Sequence, residues 1–297
     1  MDLKARLEHG NIIILSGAMG TEIQRRGVKT TLPLWSAQAL IDQPNVVREI
    51  HEDYINAGAE LIPTNTFRTQ RRTFQKVNAE KRTEELTKRA VQLAQNARAH
   101  THNHVIIAGC VTTLEDCYSP ELVPPDDVLF PEHEEHARFL NEGGVDVLLI
   151  ETMNSIREID AALRAAMTTK LPTLLRVLAY PGGTLPSGES LAQLIQAIKP
   201  YQPLALLINC VPAHTILPLL KELRGLTDLP LGAYGQGEGQ PGGEEGWLQS
   251  ARFSPDSYAA LAAQWVKETG AQIIGSCCGS TPEYTKKLKE ILPRSLY

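Results

Sequence analysis

The 297-residue chain predicts one (β/α)8 barrel, a TIM barrel, as a single domain over residues 1–297. Three observations carry this. Apolar runs of strand length alternate with helix-length segments eight times. The strand runs are apolar throughout, as parallel strands covered on both faces are. One junction recurs, in Ala57-Gly58-Ala59-Glu60-Leu61, Gly143-Gly144-Val145-Asp146-Val147 and Thr269-Gly270-Ala271-Gln272-Ile273, where a glycine helix cap feeds directly into a strand. The competing architecture is an open doubly wound sheet, but no GxGxxG turn follows the first strand.

The elements follow in order. Strand one is expected at 11–15, closing on Ser16-Gly17-Ala18-Met19-Gly20, then an irregular region with Trp35 and a helix at 45–57. Strand two falls at 60–65, with Pro63 where no ladder donor is needed, and a long polar helix at 71–99 follows. Strand three, at 105–110, leads through a loop with Pro120, Pro124 and Pro125 to a helix at 126–142. Strand four, at 145–150, ends on Glu151-Thr152 before a helix at 156–168; strand five is at 174–179, with a helix at 191–198. Strand six, at 205–210, ends on Cys210 and precedes a helix at 214–223. Strand seven is at 229–234, with a glycine- and glutamate-rich loop at 235–246 and a helix at 255–268. Strand eight runs from 271 into Gly275-Ser276-Cys277-Cys278-Gly279, and Pro282 stands at the first position of the last helix.

Composition narrows the function. With 42% hydrophobic residues there is ample material for a core, and a net charge of -5 with no basic run argues against nucleic acid or an acidic membrane surface as partner. The apolar stretches are strand-sized, which argues against a transmembrane helix and a secretory signal. Five cysteines, odd in number and irregular in spacing, are not a disulfide scaffold. They fit a reducing cytoplasm, where clustered cysteines mean metal or catalysis.

In such a barrel the active site lies at the C-terminal ends of the strands, here Ser16, Asn65, Cys110, Glu151, Tyr180, Cys210, Tyr234, Cys277 and Cys278. Neighbouring side chains of a strand point to opposite faces, so Cys277 and Cys278 reach one atom only if the backbone bends, which Gly275 and Gly279 permit. Cys210, Cys277 and Cys278 would give three thiolates with a fourth tetrahedral position open, the pattern of a catalytic zinc site. A lone Cys210 would otherwise be a small apolar core residue, and the vicinal pair a redox disulfide. Cys110 and Cys117 read as structural. Glu151 at the end of an apolar strand is expected to hold a ligand, with a local backbone amide as its other use. Asn65 and Thr66 are turn formers or pocket residues, and Trp35 and Phe67 core or pocket wall. None of the eight histidines marks a strand end, and the glutamates around His133 and His136 suggest a solvated helix face.

Together these residues resemble the homocysteine S-methyltransferase family. That family includes single-domain enzymes using S-methylmethionine or S-adenosylmethionine, betaine–homocysteine methyltransferase, and the homocysteine domain of cobalamin-dependent methionine synthase. The carriers are the 17–20 turn with Thr21-Glu22, Trp35, Thr64-Asn65-Thr66-Phe67, Glu151-Thr152, Asn209-Cys210 and Gly275-Ser276-Cys277-Cys278-Gly279. The resemblance implies Zn2+ on Cys210, Cys277 and Cys278, an acceptor ammonium on Glu151, and a substrate pocket formed with Ser16, Gly17, Trp35, Thr66 and Phe67. It implies no catalytic residue beyond the metal site. Two departures stand out. Ser16 replaces the family's Asp, and Tyr234-Gly235-Gln236-Gly237-Glu238 replaces a Tyr-Pro-Asn stretch, with Gln236 in the place of the Asn. Losing a charge-assisted contact at residue 16 weakens acceptor binding by about 1.5–3 kcal/mol.

The expected activity is methyl transfer from a sulfonium or related donor to a thiol, homocysteine first, giving methionine. The alternatives are a different thiol acceptor, a corrinoid- or folate-linked donor, and a non-catalytic zinc-binding barrel. A Schiff-base aldolase needs a strand-end lysine, and Lys170 precedes strand five instead. The loops at 112–130 and 235–253 are expected to cover the strand ends and exclude water.

Overall fold

In a computed structural model, describing residues 2–237, 239–244, 246–248 and 254–296, eight parallel strands make the barrel. They are β1 (Ile13–Ile14), β2 (Leu61–Pro63), β3 (Ile106–Thr112), β4 (Val147–Met153), β5 (Thr173–Val177), β6 (Leu206–Pro212), β7 (Leu231–Gln236) and β8 (Ile273–Ser276). Each pairs in parallel with its sequence neighbour from β2 to β8, and β8 pairs with β1 through Ile13↔Ile273 and Ile14↔Ile274. The ring closes where Leu15 bridges Leu61, with the Ser16 amide donating to Leu61 O at 2.9 Å.

A helix follows every strand: α1 (Pro44–Asn56), α2 (Thr83–Thr101), α3 (Asp126–Gly143), α4 (Ile156–Thr169), α5 (Leu191–Ile198), α6 (Ile216–Leu226), α7 (Pro255–Thr269) and α8 (Pro282–Ile291). Local chemistry sets their starts. Ser155 caps α4, Ser190 and Gln193 form a capping box on α5, and Ser254 caps α7 with Pro255 in its first turn. The three junction glycines, Gly58, Gly144 and Gly270, all have positive φ and turn each helix back into the next strand, as their spacing predicts. The strands are buried on both faces, so β3, β4 and β7 are buried along their whole length. Among the described residues no helix is long and apolar enough to cross a membrane.

Three expectations change. The helix expected at 71–99 is a short helix Arg71–Gln75, a turn, and then α2. Asn78 takes a left-handed φ of 55° in that turn, which the Asn side chain tolerates, and Phe74 is buried while Arg71 and Arg72 swing onto Glu135 and Glu132 of α3. His133 and His136 are therefore not on a solvated face. The glutamates beside them meet those arginines, and both rings are buried, His133 against Glu158 and His136 against Thr69. Tyr180 lies beyond the end of β5, 40% exposed in a bridge with Thr184, and is not a strand-end residue of the barrel.

Candidate active site

The C-terminal ends of the strands surround a cavity of about 570 Å³. Its floor is where three sulfurs converge. Cys210 Sγ lies 2.7 Å from Cys277 Sγ, and Cys277 Sγ lies 3.9 Å from Cys278 Sγ. All five cysteines are free thiols.

Backbone irregularities bring them there. The β6–β7 register breaks between Asn209 and Pro212, and inside the break Cys210 adopts φ +53°. The β4–β5 register breaks between Ile150 and Met153 around Thr152, at φ +59°. A left-handed non-glycine residue costs about 1–2 kcal/mol, so two of them at matching strand ends mark a built site. A bulge re-aims a side chain that alternation would send to the other face. Asn209 ties the two bulges together, its Nδ2 donating to Thr152 Oγ1 at 2.8 Å and reaching Cys210 Sγ at 3.3 Å. Gln236 Nε2 donates to Cys210 O at 2.9 Å.

On the other side, Cys277 and Cys278 leave β8 in a tight turn. The Cys277 amide donates to Gly235 O at 2.6 Å, and Cys278 O accepts from the Gly237 amide at 2.9 Å. Gly279 supplies the expected positive φ, 77°. Gly275 does something else: a Cβ there would stand 2.8 Å from Leu15 O, so glycine is needed for close strand packing.

The donor set is suited to a soft metal ion. Among the described residues no three His, Cys, Asp or Glu side chains already stand in ligating positions. The Cys277–Cys278 spacing is near the ~3.8 Å edge of a tetrahedron with ~2.3 Å zinc–sulfur bonds, and the Cys210–Cys277 contact would have to open to it. All three thiols are pushed well above the ordinary thiol range. For Cys210 and Cys278 the first cause is hydrogen bonding within the cluster, and for Cys277 it is burial. A bound cation reverses that balance by favouring thiolate.

Aromatic side chains make part of the cavity wall. Trp35 and Phe67 meet edge to face, centroids 5.6 Å apart. Trp247, from a small ribbon pairing Gln240–Pro241 with Trp247–Leu248, and Tyr118, from the loop after β3, add to them. That loop is anchored from beneath: the Leu114 amide donates to buried Glu158 at 2.7 Å, and His133 Nε2 lies 3.2 Å from the same oxygen. In the loop after β7, Glu238, Glu245 and residues 249–253 lie outside the described residues.

Below, the barrel holds a buried ion pair. Arg176 of β5 pairs with Glu151 of β4, and its guanidinium carbon lies 4.2 Å from the Tyr234 ring centroid. Arg176 is 1% exposed, and its Nε and Nη1 are buried without a hydrogen-bond partner. Buried donors left so cost about 1–3 kcal/mol each.

A family model for homocysteine S-methyltransferase matches residues 13–292. The chain belongs to the homocysteine S-methyltransferase family. It is therefore a methyltransferase. The chain is 30% identical to homocysteine S-methyltransferase of Escherichia coli K12, over 97% of each chain. It is 26% identical to homocysteine S-methyltransferase 1 of Arabidopsis thaliana over 96% of this chain and 94% of that one. It is 25% identical to the selenocysteine methyltransferase of Astragalus bisulcatus, over 95% and 93%. The metallated form of the Escherichia coli homocysteine methyltransferase superposes with a TM-score of 0.85 at 28% identity, covering 97% of this chain and 99% of that one.

In this homocysteine S-methyltransferase family member, Ser16, Gly17, Trp35, Phe67, Glu151, Cys210, Cys277 and Cys278 all line the one cavity. Thr66 does not. Its hydroxyl donates to Cys110 O at 2.7 Å and lies 2.8 Å from Thr64 Oγ1, so it locks β2 to β3 behind the wall. Cys110 lies within β3 and Cys117 at the cavity wall, each thiol pushed up to about 12 by burial. Sequence reasoning missed Arg176 and Tyr118. The signal for Arg176 was a lone arginine inside an otherwise apolar strand, and for Tyr118 an aromatic residue in a proline-rich loop just past a strand end.

Proposed function

We propose that this chain is a zinc-dependent S-methyltransferase in which Cys210, Cys277 and Cys278 hold Zn2+ and the acceptor is a small thiol, homocysteine first, giving methionine. The observation that carries it is the meeting of three sulfurs, one from β6 and two from the turn after β8, at the floor of a cavity whose wall includes Trp35, Phe67, Tyr118 and Trp247. Zinc bound there supplies Lewis acidity that keeps an acceptor sulfur as thiolate at neutral pH, where a free thiol of pKa ~8.5 is mostly protonated.

The chain's own residues do the rest. Asn209 fixes the Cys210 side chain through the contacts given above, and Thr152 Oγ1 lies 3.9 Å from the same sulfur, as outer-shell donors orient ligands. Trp35, Phe67 and Trp247 exclude water and offer ring faces to a sulfonium donor such as S-methylmethionine or S-adenosylmethionine. Ser16 and the Glu151–Arg176 pair line the cavity at the acceptor's polar end. Holding donor carbon and acceptor sulfur in line supplies much of the rate. The described parts of the loops after β3 and β7, which carry Tyr118 and Trp247 to the cavity wall, act as its covers. We place the protein in the cytoplasm, in methionine biosynthesis, as one domain over 1–297 acting on small molecules, with no nucleic-acid or membrane partner.

A second thiol or selenol acceptor is favoured by one observation: Ser16 carries no charge, and Glu151 is already paired with Arg176. The deciding experiment incubates zinc-loaded protein with S-methylmethionine or S-adenosylmethionine and homocysteine, following methionine. Transfer from either donor supports the reading. If zinc binds and no thiol is methylated from either donor, a corrinoid- or folate-linked donor or a non-catalytic zinc barrel replaces it.

A further inference from the structure

Arg176 is a guanidinium in the interior of a barrel strand, against the cavity floor. Such a charge needs partners. Glu151 and the Tyr234 ring provide two, yet Nε and Nη1 remain buried and unpartnered, leaving donors on both sides of the one that meets Glu151. A planar guanidinium with two unpartnered donors takes a second carboxylate once a ligand in the cavity is brought against it.

Its level in the barrel fits that use. The ladder holds to Ile150↔Leu175, and just past it the break in β4 leaves Glu151 paired with Arg176. Arg176↔Leu207 puts Cys210 three residues nearer the mouth. That is about 10 Å along the strand at ~3.3 Å per residue, a gap shared by the arginine side chain and a short ligand. A thiol at the cysteines would thus have its far end over Arg176. On the β1 side the cavity presents Ser16, which has no charge to offer an ammonium.

We propose that Arg176 reads a carboxylate on the acceptor, that Glu151 is held as the arginine's counter-ion, and that the α-ammonium is secondary. The preferred acceptors are then short mercapto acids, with or without an amino group. This rests on reading the cavity as the acceptor site.

The test is equilibrium binding of three thioether products by calorimetry, which requires no turnover: methionine, 4-(methylthio)butanoate and 3-(methylthio)propylamine. Methionine and the butanoate should bind comparably, and the amine at least about tenfold more weakly, the fold-change of a lost charge-assisted contact. Arg176→Met should weaken both acids by a similar factor, and Arg176→Lys should restore part of it. Glu151→Gln should leave the butanoate bound as well or better. The proposal is overturned if the amine binds as tightly as methionine, or if Arg176→Met leaves both acids unaffected. If the variants fail to fold, the wild-type panel decides alone. Loss of the acids' advantage with methyl transfer retained sinks only the role of Arg176. If no product binds and no thiol is methylated, the reading of the cavity falls as well.

Discussion

Ser16→Asp restores a carboxylate at the end of β1, and its effect can be worked out beforehand. Residue 16 is 3% exposed, lines the cavity, and has its backbone held by the Leu61 carbonyl, so the new side chain cannot drift to solvent. A charge-assisted hydrogen bond to an ammonium is worth about 1.5–3 kcal/mol. Stripping water from a buried carboxylate takes some of that back, so a net gain of about 1.4 kcal/mol, tenfold, is expected. The readout is kcat/KM for homocysteine against 4-mercaptobutyrate, which has the carboxylate but no amine. The ratio should rise about tenfold while zinc per chain stays the same, because residue 16 is no ligand. Without ligand the variant should be less stable, by about 1–3 kcal/mol for an unpartnered buried group, and methionine should recover part of that. If both thiols change alike, or neither changes, residue 16 does not face the acceptor's amine.

Three further outcomes follow from the packing. Asn209→Ala removes the donor that ties Thr152 to Cys210, and chelator competition should show zinc affinity lowered about 10–100-fold; an unchanged affinity would contradict the orienting role. Glu158→Ala strands the Leu114 amide and His133, so denaturant unfolding should show a loss of about 2–4 kcal/mol, with a loss below about 0.5 kcal/mol speaking against the anchor. Burial lowers His51 to about 4 and His136 to about 3. Both are neutral in the folded and unfolded chain above pH ~6.5; below it the unfolded chain takes up protons that the folded one refuses, so stability falls as pH drops from 6.5 toward 4 and 3. At 1.36 kcal/mol per pH unit the full losses are roughly 3 and roughly 5 kcal/mol, and urea midpoints that stay flat from pH 7 to 5 would refute this.

The barrel was legible because parallel strands covered on both faces leave unbroken apolar runs, and because three junctions repeat the same glycine cap. The cysteines were legible because a vicinal pair at a strand end has few uses. What escaped depended on partners distant in sequence. The break before α2 has neither proline nor glycine, only Asn78 in a left-handed turn. The setting of His133 and His136 turned on arginines 60 residues away meeting the glutamates beside them. Thr66 faces away because Cys110 O takes its hydroxyl, a contact across two strands. Arg176 was passed over because its strand was expected to run to 179 with Tyr180 at its end, whereas the ladder stops at Val177 and the cavity-lining arginine stands inside it. The bulges at Thr152 and Cys210 have no residue-type signature, since neither is glycine.

We propose that Cys210, Cys277 and Cys278 together hold one zinc ion. This is tested most directly by elemental analysis of the purified protein and of its Cys210→Ser, Cys277→Ser and Cys278→Ser variants, each checked for folding by circular dichroism. One zinc per chain is expected in the wild type, with most of it lost from every variant and the fold retained. Folded variants that all keep their full zinc would contradict it.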